Sequence, residues 1–356
     1  MSSTELNNIY QKIKKNIRIT ESEGVFLLKN AHWLDIAKLA NNRKIQQIGE
    51  KVASYTVFAI INYTNVCDIE CSFCSYKKCL SDNSAYVLTK NEIFQKIEYA
   101  LSQNADQIFF QGGVHPELKI DYYTDIIKSI KERYSIHIRG FSPVEIKNIA
   151  KISRLSIANT VQELKMAGLD SVPGAGAEIL SDRVRNILSP KKCTTQEWCD
   201  ILKECHFQGL FGSANIVFGS VETDDEIIRH LDLVRSIQNI TGGFNSFIPW
   251  TFQQQTKGFK TRLIPSHEYL KILGICRIYL DNIKNIEVSV MVLGEKIGGL
   301  ALHMGANDIS SPVIEENVLR SFGVKDEAAA KALISEAGFD PYRRDFNYES
   351  LILQTQ

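Results

Sequence analysis

The sequence predicts an α/β protein, a (β/α)8 barrel of the TIM type with a helical N-terminal extension and C-terminal helices. Three features of the 356-residue chain carry that reading. From about Ser54 onward, short apolar or β-rich runs alternate with amphipathic helical stretches, the pattern of βα units on a parallel sheet. Eight such runs follow one another, which suits a closed barrel of roughly 250 residues. No strand candidate precedes them, and the opening fifty residues read as helix.

Taken in order, Ile9, Ile13 and Ile17 place an apolar stripe on a first helix. Thr20-Glu21-Ser22-Glu23 has capping-box spacing and opens a second helix through Val25, Leu27 and Leu28. Trp33, Ile36 and Leu39 keep a helical period in a third. The strand candidates are Tyr55–Asn62, Gln107–Gln111, His137–Phe141, Ser171–Pro173, Ala214–Phe218, Phe244–Ile248, Glu287–Val292 and Ala301–Gly305. Helical stretches between them include Lys90–Gln103, Tyr122–Tyr134, Thr195–Cys205, Asp225–Ile240 and Ser266–Asn282. Ile314–Phe322 and Glu327–Ala337 are expected to complete the outer ring. The chain so divides into a helical extension (1–50), the barrel (51–310) and a C-terminal helical segment packed on it (311–356).

With 41 basic and 41 acidic side chains the net charge is zero, so no global field holds the chain to nucleic acid or to an anionic membrane. Lys77-Lys78 and Lys191-Lys192 read as solvated faces. At 44% hydrophobic and 23% charged residues, disorder as the main state is excluded. No apolar run approaches the ~18–20 residues of a membrane-spanning helix. The start, Met1-Ser2-Ser3-Thr4-Glu5, lacks the parts of a signal peptide, so the expected compartment is the cytoplasm. Eight cysteines are too few for a disulfide scaffold, and in a reducing compartment clustered thiols point to metal binding or catalysis.

Three of the eight are clustered. Cys67-Asp68-Ile69-Glu70-Cys71-Ser72-Phe73-Cys74 sets its thiols at CxxxCxxC spacing directly after the first strand candidate. In a parallel barrel that is the C-terminal mouth, where active sites sit. Three thiolates on one tight loop suit three irons of a 4Fe–4S cube and leave the fourth iron open. The alternative is zinc completed by Cys79, although this is not a usual zinc spacing. Cys193, Cys199 and Cys205, six apart, and Cys276 among apolar neighbours read as ordinary core or surface thiols.

A CxxxCxxC loop after the first strand of a βα barrel resembles the radical S-adenosylmethionine (SAM) superfamily. The resemblance implies that Cys67, Cys71 and Cys74 hold a 4Fe–4S cluster whose open iron chelates SAM. It also implies that one electron splits SAM into methionine and a 5′-deoxyadenosyl radical. Gln111-Gly112-Gly113 closes the second strand candidate, where the superfamily has a glycine turn that receives the SAM amino group. By the same resemblance Ser142 and Glu178 meet the ribose or methionine part of SAM. Gly219 and Glu222 lie near the adenosine, and Tyr76 meets the adenine. Each polar residue among these has a plainer reading as a helix N-cap or first-turn carboxylate.

Ile61-Asn62-Tyr63-Thr64-Asn65-Val66-Cys67 and Gln111-Gly112-Gly113-Val114-His115-Pro116 resemble a group of enzymes within the superfamily. The group comprises cyclic dehypoxanthinyl futalosine synthases, aminofutalosine synthases and the large component of deazaflavin-forming synthases. Gly140-Phe141-Ser142-Pro143, Trp250-Thr251-Phe252-Gln253 and Leu302-His303-Met304-Gly305-Ala306-Asn307-Asp308 are similar to the first of these. Gly174-Ala175-Gly176, Gln254-Gln255-Thr256 and the tail Arg344–Tyr348 depart from its pattern. The resemblance implies a step of menaquinone biosynthesis. Hydrogen is taken from the ribose of dehypoxanthine futalosine, the carbon radical adds to the benzoate ring, and SAM leaves as methionine and 5′-deoxyadenosine. A flavodoxin- or ferredoxin-like electron donor is implied as partner. Candidates to hold the benzoate or to take the last proton are His115, Arg139, Arg183, Asn307, Asp308, Glu315 and Glu316, with Arg183, Asp308 and Glu316 put first.

Overall fold

The computed structural model describes residues 2–252, 261–314 and 324–349. Three helices open the chain, α1 (Ser2–Lys14), α2 (Glu21–Asn30) and α3 (Trp33–Gln47). The capping box forms as expected: Thr20 Oγ1 accepts the Glu23 amide, and the Glu23 carboxylate accepts the Thr20 amide. Ile9 and Ile13 are buried, but α1 ends before Ile17, which is left 49% exposed after a left-handed turn at Asn16. α2 and α3 lie against the later helices of the outer ring.

The barrel strands are β1 (Val52–Tyr55) with its continuation β2 (Phe58–Asn62), β3 (Gln107–Gln111), β4 (His137–Gly140), β5 (Gly212–Phe218), β6 (Phe244–Thr251), β7 (Asn285–Ile286) and β8 (Val313–Ile314). A ninth strand, β9 (Asp340–Arg343), pairs in parallel with β1. Parallel pairing runs β2–β3–β4. It crosses from Arg139 to Ser171, and the amides of Val172 and Gly174 donate to Phe211 and Ser213. From there it continues β5–β6–β7. Asp308 bridges both Glu287 and Ser54, and β8 pairs with Phe58 and Ala59, so the ring closes. The outer ring includes α4 (Lys90–Ser102), α5 (Ile120–Arg133), α6 (Pro143–Ser153), α7 (Ile157–Ala167), α8 (Asp182–Leu188), α9 (Thr195–Phe207), α10 (Asp224–Thr241) and α11 (Ser266–Tyr279). Short α12 (Val290–Leu293), α13 (Glu295–Leu302) and α14 (Glu327–Glu336) follow.

The expected eighth strand is corrected. Ala301 and Leu302 end α13, and Gly305 turns the chain at φ 113. The pairing is supplied by Asp308 and Val313–Ile314 instead. A five-residue apolar run fits a buried helix end as well as a strand, and period alone does not separate them. Glu287–Val292 is likewise strand only at its start, because Val290 begins α12. Ile314 belongs to β8, and the rest of the expected helix to Phe322 lies outside the described residues.

Alternation along the strands divides their side chains between two environments. Ile108, Phe110, Ile138, Ala214 and Ile216 face the helices and join the apolar core. Gln107, Phe109, Gln111, Arg139, Asn215 and Trp250 lie at the intervening positions and line the lumen. The N-terminal end of the lumen is stoppered by the tail. Phe346 stacks on His137 at 4.4 Å, and the Tyr348 hydroxyl donates to Glu287 at 2.8 Å.

Candidate active site at the barrel mouth

β2 delivers the chain to the mouth at Asn62, and the cysteine loop begins five residues later. Its backbone is anchored on two sides. The Tyr63 and Asp68 amides donate to the carbonyls of Gln111 and Val114, and the Ser72 amide to Leu188 at the end of α8. The Cys67 amide meets the Lys78 carbonyl at 3.0 Å, and the Cys74 amide meets that of Cys71 at 3.2 Å. All three thiols are free, with Cys67 and Cys71 half-buried and Cys74 exposed. Burial pushes the Cys67 and Cys71 thiols up, so a bound cation is what would deprotonate them.

The turn after β3 fits against this loop because it has no side chains. A Cβ on Gly112 would lie 2.7 Å from the Tyr63 ring, and one on Gly113 would lie 2.1 Å from the Val66 carbonyl oxygen. Both turn amides are already used. Gly113 donates to Thr64, and Gly112 donates to Glu145 at 3.2 Å. Glu145 also accepts from the Tyr63 hydroxyl at 2.9 Å and from the amide and hydroxyl of Ser142, each at 2.7 Å. Burial raises its carboxyl above the usual range despite these donors. Sequence reasoning passed over Glu145, although Ser142-Pro143-Val144-Glu145 is a capping box in plain sight.

A second group missed from the sequence is Lys192. Its ammonium pairs with Glu178 at 2.8 Å and lies 5.4 Å over the Phe73 ring. Burial opposes its charge, but Glu178 and Cys71 hold it above its ordinary value. Of the two lysines read as a solvated face, only Lys191 is exposed, paired with Glu70. Glu178 sits at φ 43 and Phe141 at φ 48, left-handed conformations that non-glycine residues adopt rarely.

Among the described residues no three His, Cys, Asp or Glu side chains converge closely enough to share one metal ion. A 4Fe–4S cube asks for a looser arrangement, one thiolate on each of three irons, and three free thiols on one anchored loop fit it. Residues 61–234 match the radical SAM superfamily, and residues 241–356 match the CofH/MqnC C-terminal region. The chain is 35% identical to the cyclic dehypoxanthine futalosine synthase of Halalkalibacterium halodurans, over 97% of this chain and 94% of that one. It belongs to the radical SAM superfamily.

Its cofactors are accordingly a 4Fe–4S cluster and SAM. A second cyclic dehypoxanthine futalosine synthase, from Streptomyces coelicolor, is 34% identical over 98% of this chain and 90% of its own length. Equally similar is the 5-amino-6-(D-ribitylamino)uracil–L-tyrosine 4-hydroxyphenyl transferase of Methanococcoides burtonii, 35% identical over 93% of this chain and 96% of its own. The hydrogenase maturase HydG of Carboxydothermus hydrogenoformans superposes with a TM-score of 0.76 over 99% of this chain and 81% of that one. Methylornithine synthase superposes with 0.70 over 94% and 97%. At 16% identity both speak for the radical SAM fold alone.

The other sequence candidates divide sharply. Ser142 caps α6, and Glu222 closes the turn after β5 by accepting the Gly219 and Ser220 amides at 2.5 and 2.9 Å. Half-buried Tyr76 meets the Tyr86 hydroxyl, which in turn reaches the Asn62 carbonyl. Arg183 is not free to receive a substrate carboxylate, because its fork is filled by Glu226 at 2.5 and 2.9 Å. Asp308 lies opposite Ser54, at the stoppered end of the lumen, and is paired with Arg344 at 2.6 Å. Asn307 accepts from Arg277 and from the Ile286 amide, which fixes the segment leading into the Asp308 bridge to β7. His115 Nδ1 accepts the Glu117 amide within its own turn. Glu315 and Glu316 lie outside the described residues.

The Arg183 pair has a measurable signature. Arg183 holds the Glu226 carboxyl down to about 2, helped by Ser181 and Thr223. A depressed carboxyl stabilises the fold above its unfolded value and loses that contribution as pH falls toward its folded one. Arg183→Ala is therefore expected to be less stable than wild type at pH 7. The gap should narrow from about pH 5 to about pH 2 in urea titrations.

Proposed function

We propose that the chain is a cyclic dehypoxanthine futalosine synthase, with Cys67, Cys71 and Cys74 holding the cluster. Gln111, Gly112, Gly113, Ser142, Glu178, Glu222 and Tyr76 surround SAM in this reading. The observation that carries it is the near full-length similarity to two bacterial enzymes of that name. When bound, the cluster supplies the electron that turns SAM into methionine and a carbon radical able to take hydrogen from an unactivated C–H bond.

The protein's part is placement. Because both amides of the Gly112–Gly113 turn are spent within the protein, the turn has only carbonyl acceptors to offer, the right partners for the SAM ammonium. Glu145 keeps the turn in that orientation and positions Ser142 from the same carboxylate. Lys192 neutralises Glu178, so this rim of the mouth presents a balanced ion pair beside Cys71. The lumen below receives the substrate. Dehypoxanthine futalosine loses one ribose hydrogen, closes a bond from that carbon to the benzoate ring, and then loses one proton and one electron, the electron offsetting the one spent on cleaving SAM. The product is two hydrogens lighter, and a flavodoxin- or ferredoxin-like protein supplies the priming electron.

The archaeal relatives favour a second reading, transfer of a 4-hydroxyphenyl group from L-tyrosine to a ribitylaminouracil. An anaerobic reaction of reconstituted protein, reductant and SAM with each substrate set, followed by mass spectrometry, separates the two. Free 5′-deoxyadenosine with a product two hydrogens below dehypoxanthine futalosine is the expected result. In a third reaction, with an enol-ether benzoate as substrate, an adenosyl group retained in the product indicates an aminofutalosine synthase-like reaction. Unchanged dehypoxanthine futalosine beside consumed tyrosine and ribitylaminouracil would establish the transferase.

A further inference from the structure

We propose that Arg139, halfway down the barrel lumen, is the docking point for a carboxylate carried by the aromatic substrate. Its guanidinium carbon lies 5.0 Å over the Phe109 ring, and Nη2 donates to the Ser213 hydroxyl on β5. The side chain is partly exposed although it belongs to the middle of the barrel. Among the described residues no carboxylate stands within ion-pair distance of it, and its buried Nε has no hydrogen-bond partner. The two carboxylates deeper in the lumen already have a cation in contact, since Arg344 reaches Asp308 at 2.6 Å and Glu287 at 3.7 Å.

Arg139 is not alone in being unsatisfied. Toward the mouth, Asn62 Nδ2, Asn215 Oδ1 and Trp250 Nε1 are also buried without partners. Asn62 is only 6% exposed. Folded proteins leave few buried polar atoms unpaired, and these four come from four strands of one lumen, with Gln107 Oε1 and Glu287 Oε2 also unpartnered nearer its stoppered end. A planar fork with N–H groups to spare matches a carboxylate. Two donors and an acceptor above it suit the hydroxyl and carbonyl groups of a polar ligand body. The choice of a benzoate rests on the function proposed above, whereas an amino acid such as tyrosine would bring the same group from a different source.

Calorimetric binding to the anaerobically reconstituted, SAM-loaded protein tests the assignment, using dehypoxanthine futalosine and its methyl ester. Wild type is expected to prefer the acid by on the order of 100-fold. Arg139→Gln should bring that preference close to unity, mainly by weakening the acid. Arg139→Lys should restore part of it, as a charge without the fork. An Arg139→Gln protein with an unchanged melting midpoint and an intact acid preference overturns the proposal. So does one that melts earlier and keeps the preference, because Arg139 then serves the stability of the barrel and not the ligand. If wild type binds L-tyrosine rather than the futalosine, and both methyl esterification and Arg139→Gln abolish that binding, the anchor stands and the cyclase reading falls. Absence of binding by all these carboxylates removes the anchor.

Discussion

Alanine at any one of Cys67, Cys71 or Cys74 is expected to abolish SAM cleavage and to lower the iron retained after anaerobic reconstitution, while alanine at Cys79 leaves both as in wild type. The loop offers no spare thiol in the right place. Cys67 is tied to Lys78 and Cys74 to the Cys71 carbonyl, so neither can slide to cover for a lost neighbour. Cys79 is exposed and lies beyond the Lys78 anchor. The four remaining cysteines are buried in the core, with their thiols pushed up by burial, Cys199 to about 11 and Cys205 and Cys276 further. All four are packed into the apolar core away from the loop, so none is placed to replace a lost ligand. Iron per chain and 5′-deoxyadenosine formed without substrate are the two measurements. Full cleavage by any one of the three variants would show that a ligand has been misassigned.

The features legible in the sequence were those whose physics is local. CxxxCxxC spacing, the glycine pair and the capping boxes each depend on residues within a few positions of one another, so the string displays them directly. The alternation of strands and helices was legible for the same reason, and it failed where a run was too short for its period to decide, at Ala301–Gly305. What stayed hidden were pairings across the fold. The fork of Arg183 is visible in the sequence, but its partner Glu226 is 43 positions away and only the barrel's closure brings them together. The carboxylate of Asp308 is equally visible, and Ser54, which donates to it, is 254 positions off. Lys192 and Glu145 carry no motif of their own beyond a dipeptide and a cap. Arg139 stands out in the sequence by residue type alone. Its unfilled Nε and the unpartnered atoms above it exist only once four strands face one another.

The tail supplies the other large expected effect. Arg344 is 4% exposed and enters the lumen from beyond β9 to contact Asp308 and Glu287, whose side chains are 0% and 3% exposed. Its guanidinium also covers the Tyr348 ring at 4.0 Å. Burial works against the charge on Arg344, but Asp308, Tyr348 and Glu287 together outweigh it and hold the group well above its ordinary value. Replacing the cation while leaving both acids in place strands buried charge, which costs about 3–5 kcal/mol. Arg344→Met, which keeps an apolar stem in the lumen, is therefore expected to lose that much in urea unfolding at pH 7. The sign of its pH dependence follows. Without Arg344 the two carboxyls have folded values above their unfolded ones, so the folded state binds more protons and stability falls as pH rises through that interval. The deficit should be largest near neutrality and shrink as pH is lowered through about 4. Asp308→Asn in the Arg344→Met background should recover part of the loss, because the amide removes one of the stranded charges and keeps the shape. A single variant within about 0.5 kcal/mol of wild type, with no pH trend, would mean that water reaches these acids from the N-terminal end and that the tail does not seal the lumen.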